Sequence, residues 1–297
     1  MKNSLSAGPG LRRKLVLTGA ALLLAGCAGT GLLSPVTLLN GVAYGPFTLT
    51  RDIAYAPGPR GGLDVYAPRD ARNAPVVVFY YGGSWQDGDK AMYRFVGAAL
   101  AASGMVAIIP DYRLYPATRF PGFLEDCAAA LAWARGHAAQ FGGDAGRLCV
   151  MGHSAGAYNA AMLALDPQWL APHGLSPARD IAGLVGLAGP YDFLPLTDPV
   201  LKTIFGPPGT LALTQPVNFV TPGAPPALLA AGTADTTVDP ANSTRLARRL
   251  SAAGDPVELR LYPGLDHRKL IGAFSPLLHG LAPVLADCVG FITQLPG

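Results

Sequence analysis

Charge is scarce in this chain of 297 residues: 22 Lys and Arg stand against 19 Asp and Glu, and 14% of positions are charged. A nucleic-acid surface needs a basic stripe or face, and a net charge of +3 with no Lys/Arg run along the later sequence supplies neither. Cysteine is scarce too, four in all, with no CxxC pair and no HExxH, so no zinc site of either familiar spacing is expected. The apolar run Leu15–Ala25 is too short for a membrane-spanning helix, which takes roughly 20 residues. Glycine (37) and proline (28) are plentiful but follow no Gly-X-Y period, which excludes collagen. Half of the chain is hydrophobic, which excludes disorder and provides for a sizeable core. No internal repeat is visible.

The first 27 residues read as an address. A basic stretch, Arg12-Arg13-Lys14, precedes the apolar run, and Leu24-Ala25-Gly26-Cys27 closes it. That ending resembles the lipobox of bacterial lipoproteins, which implies cleavage before Cys27, acylation there (palmitate among the chains) and a membrane anchor. Ala28 after the cysteine, by resemblance to enterobacterial sorting, implies the periplasmic side of the outer membrane. An ordinary secretory signal with an incidental cysteine is the alternative. The expected organisation is a signal over 1–26, the lipidated Cys27 and a tether with a short packed segment to 47, and one domain over 48–297. Removing 1–26 leaves 18 basic residues against 19 acidic, so the basicity belongs to the signal. Of Cys127, Cys149 and Cys288, at least one must be unpaired. Small buried hydrophobes are the default, with a Cys127–Cys288 bridge left open.

From about residue 48, strand-like and helix-like stretches alternate. Strands are expected at 48–55, 63–66, 76–81, 106–110, 148–152, 181–188, 227–231 and 257–262. Those from Val76 to Ala231 are short and apolar without clean alternation, as in strands buried on both faces of a parallel sheet. Helices are expected at 90–102, 121–139, 155–165, 240–253 and 276–294. The first two strands follow one another without a helix and form an antiparallel edge. The remainder is βαβ, giving a doubly wound α/β sheet. Residues 193–224, rich in proline, interrupt this rhythm as a lid or a packed surface insertion.

Gly152-His153-Ser154-Ala155-Gly156 fits G-x-S-x-G between an apolar strand and an Ala-rich helix. A turn that sharp strains the serine and requires very small neighbours two residues away. Ser154 is therefore the candidate nucleophile, and His153 beside it is a packing or hydrogen-bonding residue. Tyr81-Gly82-Gly83-Ser84-Trp85 ends the third strand, where glycine lets backbone N–H groups approach a developing oxyanion. Gly83, Ser84 and Ala155 are the candidate donors. Among His137, His153, His173, His267 and His279, only His267 lies just after the final strand, where a loop delivers an imidazole to Ser154. The acid that orients it is read as Asp235, in the loop after the preceding strand. Asp239 looks like a helix cap, and Asp266 lies too close in sequence to reach its neighbour's ring.

The order Ser154, Asp235, His267, together with Gly88-Asp89-Lys90, Pro110-Asp111-Tyr112-Arg113, Gly143-Asp144 and Gly232–Asp235, resembles an α/β-hydrolase of the bacterial carboxylesterase or feruloyl-esterase-like group, related to hormone-sensitive-lipase-type esterases. The resemblance covers about 48–292. It implies a mostly parallel eight-stranded sheet with helices on both faces, and hydrolysis of small or aryl esters through an acyl-serine without metal or organic cofactor. It also implies structural roles for Asp111–Arg113 and Asp126. Tyr81 stands where that group usually has histidine, and Ser84 where a third glycine is usual. The same triad would serve an arylformamidase or a small peptidase, and a non-catalytic binding domain on this scaffold is the alternative of another class.

Overall fold

A computed structural model describes residues 34–296. The signal over 1–26 and Cys27 lie outside the described residues. Eight strands form one sheet: β1 (Phe47–Ala54), β2 (Gly62–Pro68), β3 (Ala74–Tyr80), β4 (Val106–Pro110), β5 (Gly143–His153), β6 (Gly183–Leu187), β7 (Ala227–Gly232) and β8 (Val257–Tyr262). Their spatial order is β1-β2-β4-β3-β5-β6-β7-β8. β1 pairs antiparallel with β2 and β2 with β4, and every later pairing is parallel. The doubly wound α/β expectation with its antiparallel edge is thus borne out. Every residue of β3, β4, β6 and β7 is buried, which explains their unbroken apolar runs, whereas the outermost strands β1 and β8 are partly exposed.

Nine α-helices flank the sheet among the described residues: α1 (Pro35–Gly41), α2 (Arg94–Ala102), α3 (Gly122–His137), α4 (Ala155–Leu165), α5 (Pro177–Asp180), α6 (Pro199–Phe205), α7 (Ala241–Ala253), α8 (His267–Gly272) and α9 (Val284–Gln294). Two neighbours on β3 locate the layers, because successive side chains on a strand point to opposite faces. Tyr80 donates its hydroxyl to the carbonyl of Cys127 in α3 at 2.8 Å, while Phe79 packs on Tyr93 just before α2. So α3 covers one face and α2 the other.

The same alternation settles the cysteines. Cys149 pairs in register with Val77, on the Phe79 face, and its near neighbour is Cys288 of α9. Cys127 belongs to the opposite face. The Cys127–Cys288 bridge considered from sequence is therefore excluded by the sheet between them, and all three thiols are free and buried. Burial raises each of them above the ordinary thiol range.

Several boundaries differ from the sequence reading: β5 begins at Gly143 rather than at 148, and Lys90–Tyr93 is a 3₁₀ turn ahead of α2. The expected helix over 276–294 is in fact a 3₁₀ turn, His279–Leu281, followed by α9, because Pro283 interrupts the backbone ladder. His279 accordingly lies outside the last helix. Residues 35–41 form the packed segment within the region read as tether: Ser34 caps α1, and Asn40 donates to the carbonyls of Ala91 and Met92 and accepts from Phe95 N–H.

Candidate active site

Ser154 sits at φ 57°, ψ −124° between β5 and α4, in a region that side-chain-bearing residues rarely occupy. The turn closes only because its flanks lack side chains. A Cβ on Gly152 would stand 2.2 Å from the carbonyl oxygen of Gly156, and one on Gly156 would stand 1.9 Å from that of Tyr80. The turn is pinned to β6 by Ser154 N–H donating to Leu187 O at 2.9 Å. Ala155 begins α4, so its N–H is one of the unpaired donors at a helix N-terminus.

His267 is the first residue of α8, and Asp266 caps that helix by accepting from Arg268 and Lys269 N–H. Asp266 is thereby committed to its own helix. Nδ1 of His267 lies 2.7 Å from Oδ2 of Asp235, which is buried. The other carboxylate oxygen accepts from Thr237 and Val238 N–H. Asp239 accepts from Ala241 N–H at the start of α7, as its capping role predicts. His153 is also buried, with Nε2 3.1 Å from the carbonyl oxygen of His267 and its ring 4.7 Å, centroid to centroid, from the His267 ring. Ser154 and His267 are thus joined through the residue next to Ser154. The Ser154 hydroxyl makes no hydrogen bond among the described residues.

The loop after β3 turns sharply. Gly83 has φ 133° and its carbonyl accepts from Gln86 and Asp87 N–H; a Cβ there would meet Asp87 O at 2.0 Å. Ser84 and Trp85 follow at φ 53° and 59°. The N–H groups of Gly83, Ser84 and Ala155 donate no hydrogen bond among the described residues. Ser84, Trp85, Ser154 and Ala155 line one cleft of about 430 Å³ together with Pro190 and Phe193. Gly83, half-buried, directly precedes Ser84 in this loop. The Trp85 ring is fixed by Nε1 donating to buried Asn159 at 3.0 Å and by edge contacts with Tyr158 and Phe205.

Tyr81 lies beneath this loop, stacked between Tyr93 and Tyr112 at 5.7 and 4.7 Å. Its hydroxyl donates to Asp111 at 2.8 Å and accepts from Arg60, whose Nη2 also reaches Gly88 O at 2.7 Å. Burial raises the Asp111 carboxyl; Tyr81, Lys90 N–H and Arg60 oppose that shift without cancelling it. Asp126 takes the Arg113 backbone N–H and guanidinium, which ties the segment after β4 to α3. Residues 193–224 are packed. Phe193 N–H donates to Gln215, and Phe193 and Phe205 join the Trp85 aromatic group. The segment walls the cleft. Arg60 and the Arg245–Asp192 pair at 2.6 Å beside the cleft went unread from sequence. Both lie in stretches with no motif, and only the fold brings them in.

A family model described as BD-FAE matches residues 63–250, which takes in Ser154 and Asp235 and ends before His267. Esterase LipC of Mycobacterium tuberculosis is 33% identical over 239 residues, covering 73% of this chain and 59% of its own length. A probable isoprenylcysteine alpha-carbonyl methylesterase of Oryza sativa subsp. japonica is 30% identical over 294 residues, covering 91% of this chain and 68% of its own. The chain spans less than two thirds of LipC and of two further relatives from Arabidopsis thaliana, at 59%, 56% and 64% of their lengths. Among solved structures, a Pyrobaculum calidifontis esterase superposes with a TM-score of 0.73 at 24% identity, covering 97% of this chain and 99% of the other. A carbohydrate esterase from gut microbiota gives 0.72 at 22%, covering 84% and 96%. At these identities the two structures speak for the fold alone. With the family match running from β2 into α7 on an eight-stranded α/β-hydrolase sheet, the chain belongs to the BD-FAE family.

Proposed function

We propose that the protein hydrolyses carboxylic esters through an acyl-serine on Ser154. The observation that carries this reading is the 2.7 Å bond between Asp235 and His267, at the sheet edge where Ser154 is held at φ 57°. With Nδ1–H of His267 donated to Asp235, Nε2 is left with a lone pair and acts as the base. Ser154 Oγ attacks the ester carbonyl carbon as its proton passes to Nε2. The carbonyl oxygen becomes an oxyanion and accepts from the N–H groups of Gly83, Ser84 and Ala155, each such donor being worth about 3 kcal/mol. The C–O bond to the alcohol breaks as Nε2 returns the proton to the leaving oxygen. Water, deprotonated by the same nitrogen, then releases the acid from Ser154. These steps draw on no metal or organic cofactor.

Small or aryl esters suit the cleft, because Trp85 and Phe193 are among the residues that line it and Ser84 adds bulk where a glycine would leave room. The esterase names carried by LipC and by the Thermogutta terrifontis enzyme, 25% identical with a TM-score of 0.69, point the same way. The test is turnover of p-nitrophenyl esters of graded acyl length by residues 28–297, with Ser154→Ala as control. Wild-type rates in Ser154→Ala overturn the mechanism, and preferential turnover of formamides or peptides overturns the ester assignment.

The sequence Leu24–Cys27 supports a second proposal, that Cys27 carries the acyl chains that hold the domain at the periplasmic side of the outer membrane. Labelled palmitate incorporated by the wild type and absent from Cys27→Ala is the expected result. Equal labelling of the two overturns it.

A further inference from the structure

His153 is an expensive residue to place where it lies. It is 4% exposed, its Nδ1 has no hydrogen-bond partner among the described residues, and burial together with the neighbouring His267 holds its ring well below the ordinary imidazole range. The ring is therefore neutral, and its single N–H is assigned by its partner: a carbonyl only accepts, so Nε2 is the donor to His267 O. A carbonyl oxygen has two lone pairs, so this bond leaves the first turn of α8 its own acceptor. The other edge of the ring faces the start of the loop after β3. A Cβ on Gly82 would stand 2.9 Å from Ser154 Cβ and 3.3 Å from His153 Nδ1. Gly82, His153, Ser154 and the backbone of His267 are thus interlocked around one side chain.

We propose that His153 is a positioning residue: by donating from Nε2 to the carbonyl of His267 it fixes the start of α8 relative to Ser154, and so the placement of the imidazole that serves the hydroxyl. This rests on the reading of Ser154 and His267 as nucleophile and base. Asp235 fixes the orientation of the His267 ring, and its backbone depends on a separate restraint. The segment 263–266 leading into α8 is a turn, and its backbone is tied to the β7 end by Ala234 N–H donating to Leu265 O at 3.0 Å and Gly264 N–H donating to Thr233 Oγ1 at 3.0 Å. Among the described residues, the hydrogen bond from His153 alone links His267 itself to the elbow, through the residue adjoining the nucleophile. An error of about 1 Å in such an arrangement costs on the order of 100-fold in rate.

The test compares three substitutions in the full chain. His153→Gln keeps an amide N–H at about the reach of Nε2. His153→Met keeps bulk without a donor. His153→Asn has a donor that stops short, near the Nδ1 position. Each is measured for turnover of p-nitrophenyl acetate, for the rate of labelling by a fluorophosphonate probe and for melting temperature. The expected result is a loss in kcat and labelling rate of roughly 10- to 100-fold for Met and Asn, with KM nearly unchanged and most of the loss recovered by Gln. A residue that merely fills space gives the reverse order, with Met tolerated best and Gln no better than Asn. That order, or wild-type rates in Met or Asn, overturns the proposal. If Met does not fold, Gln against Asn decides it. A wild type that the probe does not label defeats the assignment of Ser154 and His267, and with it this inference.

Discussion

Oδ2 of Asp235 stands 2.7 Å from Nδ1 of His267, while Oδ1 of the same carboxylate accepts the N–H groups of Thr237 and Val238 at 2.8 and 2.9 Å. The acid is held on one side by its own loop, so its free oxygen has a fixed direction. Register carries this upward: Gly232 at the end of β7 pairs with Tyr262 at the end of β8, so the loops bearing the two residues leave the sheet side by side. The chain between them carries α7, which returns β8 beside β7 in parallel.

Asp235→Asn should keep the fold and lose the chemistry. An amide in place of the carboxylate presents N–H₂ or a weaker acceptor to Nδ1 and favours the tautomer with its proton on the wrong nitrogen. The expected loss in kcat is about 10³- to 10⁴-fold with a melting temperature close to wild type. Steady-state kinetics on p-nitrophenyl acetate beside a thermal melt check both halves. A loss under tenfold would mean that Asp235 does not orient the base.

Gly152→Ala and Gly156→Ala should fail structurally instead. Each new methyl would land about 2 Å from backbone: the Gly156 carbonyl in the first case and the Tyr80 carbonyl in the second. Backbone at the centre of the sheet has nowhere to yield, so each should cost upwards of about 3 kcal/mol. Soluble yield and melting temperature are the readouts. A stable Gly156→Ala protein would mean that the elbow is looser than its geometry.

Much of this site was legible because its requirements are local. A serine flanked at two residues' distance by glycines, after an apolar strand, announces Ser154. His267 and Asp235 were legible from topology, since parallel strands deliver their following loops to one edge. What stayed hidden depends on three-dimensional neighbours. Arg60 sits in a Gly/Pro-rich turn and reaches Tyr81 and Gly88 only because β2 runs antiparallel to β4, which brings the turn before β2 to the C-terminal ends of the parallel strands, where the loop after β3 begins. The open Cys127–Cys288 pairing failed for a related reason, because the count of cysteines does not say on which face of the sheet each helix packs. The break at Pro283 was visible in the sequence but was overridden by the apolar pattern on either side of it.

The buried thiols make a separate prediction. Cys127, Cys149 and Cys288 are inaccessible and raised by burial, so a thiol reagent at neutral pH should leave all three untouched in the folded protein and modify them once it is denatured. Reductant should not shift the melting temperature. A fall in melting temperature with dithiothreitol would reveal a disulfide and contradict the free state of the three thiols.

Tyr81→Phe tests what the tyrosine does beneath the oxyanion loop. The hydroxyl donates to Asp111 and accepts from Arg60, so its loss removes a bond to a carboxylate and leaves a guanidinium with one acceptor fewer. A bond to a charged partner is worth about 1.5–3 kcal/mol. Its pH dependence has a definite sign. The Tyr81 bond favours ionised Asp111, so it contributes most while that carboxyl is ionised. Burial raises the Asp111 carboxyl in the folded protein despite this bond, and removing the bond raises it further. The stability deficit of Tyr81→Phe should therefore be full at neutral pH and shrink as pH falls through the raised value of Asp111, where both proteins bind the proton. Urea unfolding of the two proteins at a series of pH values from neutral downward measures it. A deficit that stays constant, or that grows toward acid, would show that the hydroxyl does not act through Asp111. The rings of Tyr93 and Tyr112 still hold the phenyl group, so kcat should fall by less than it does in Asp235→Asn.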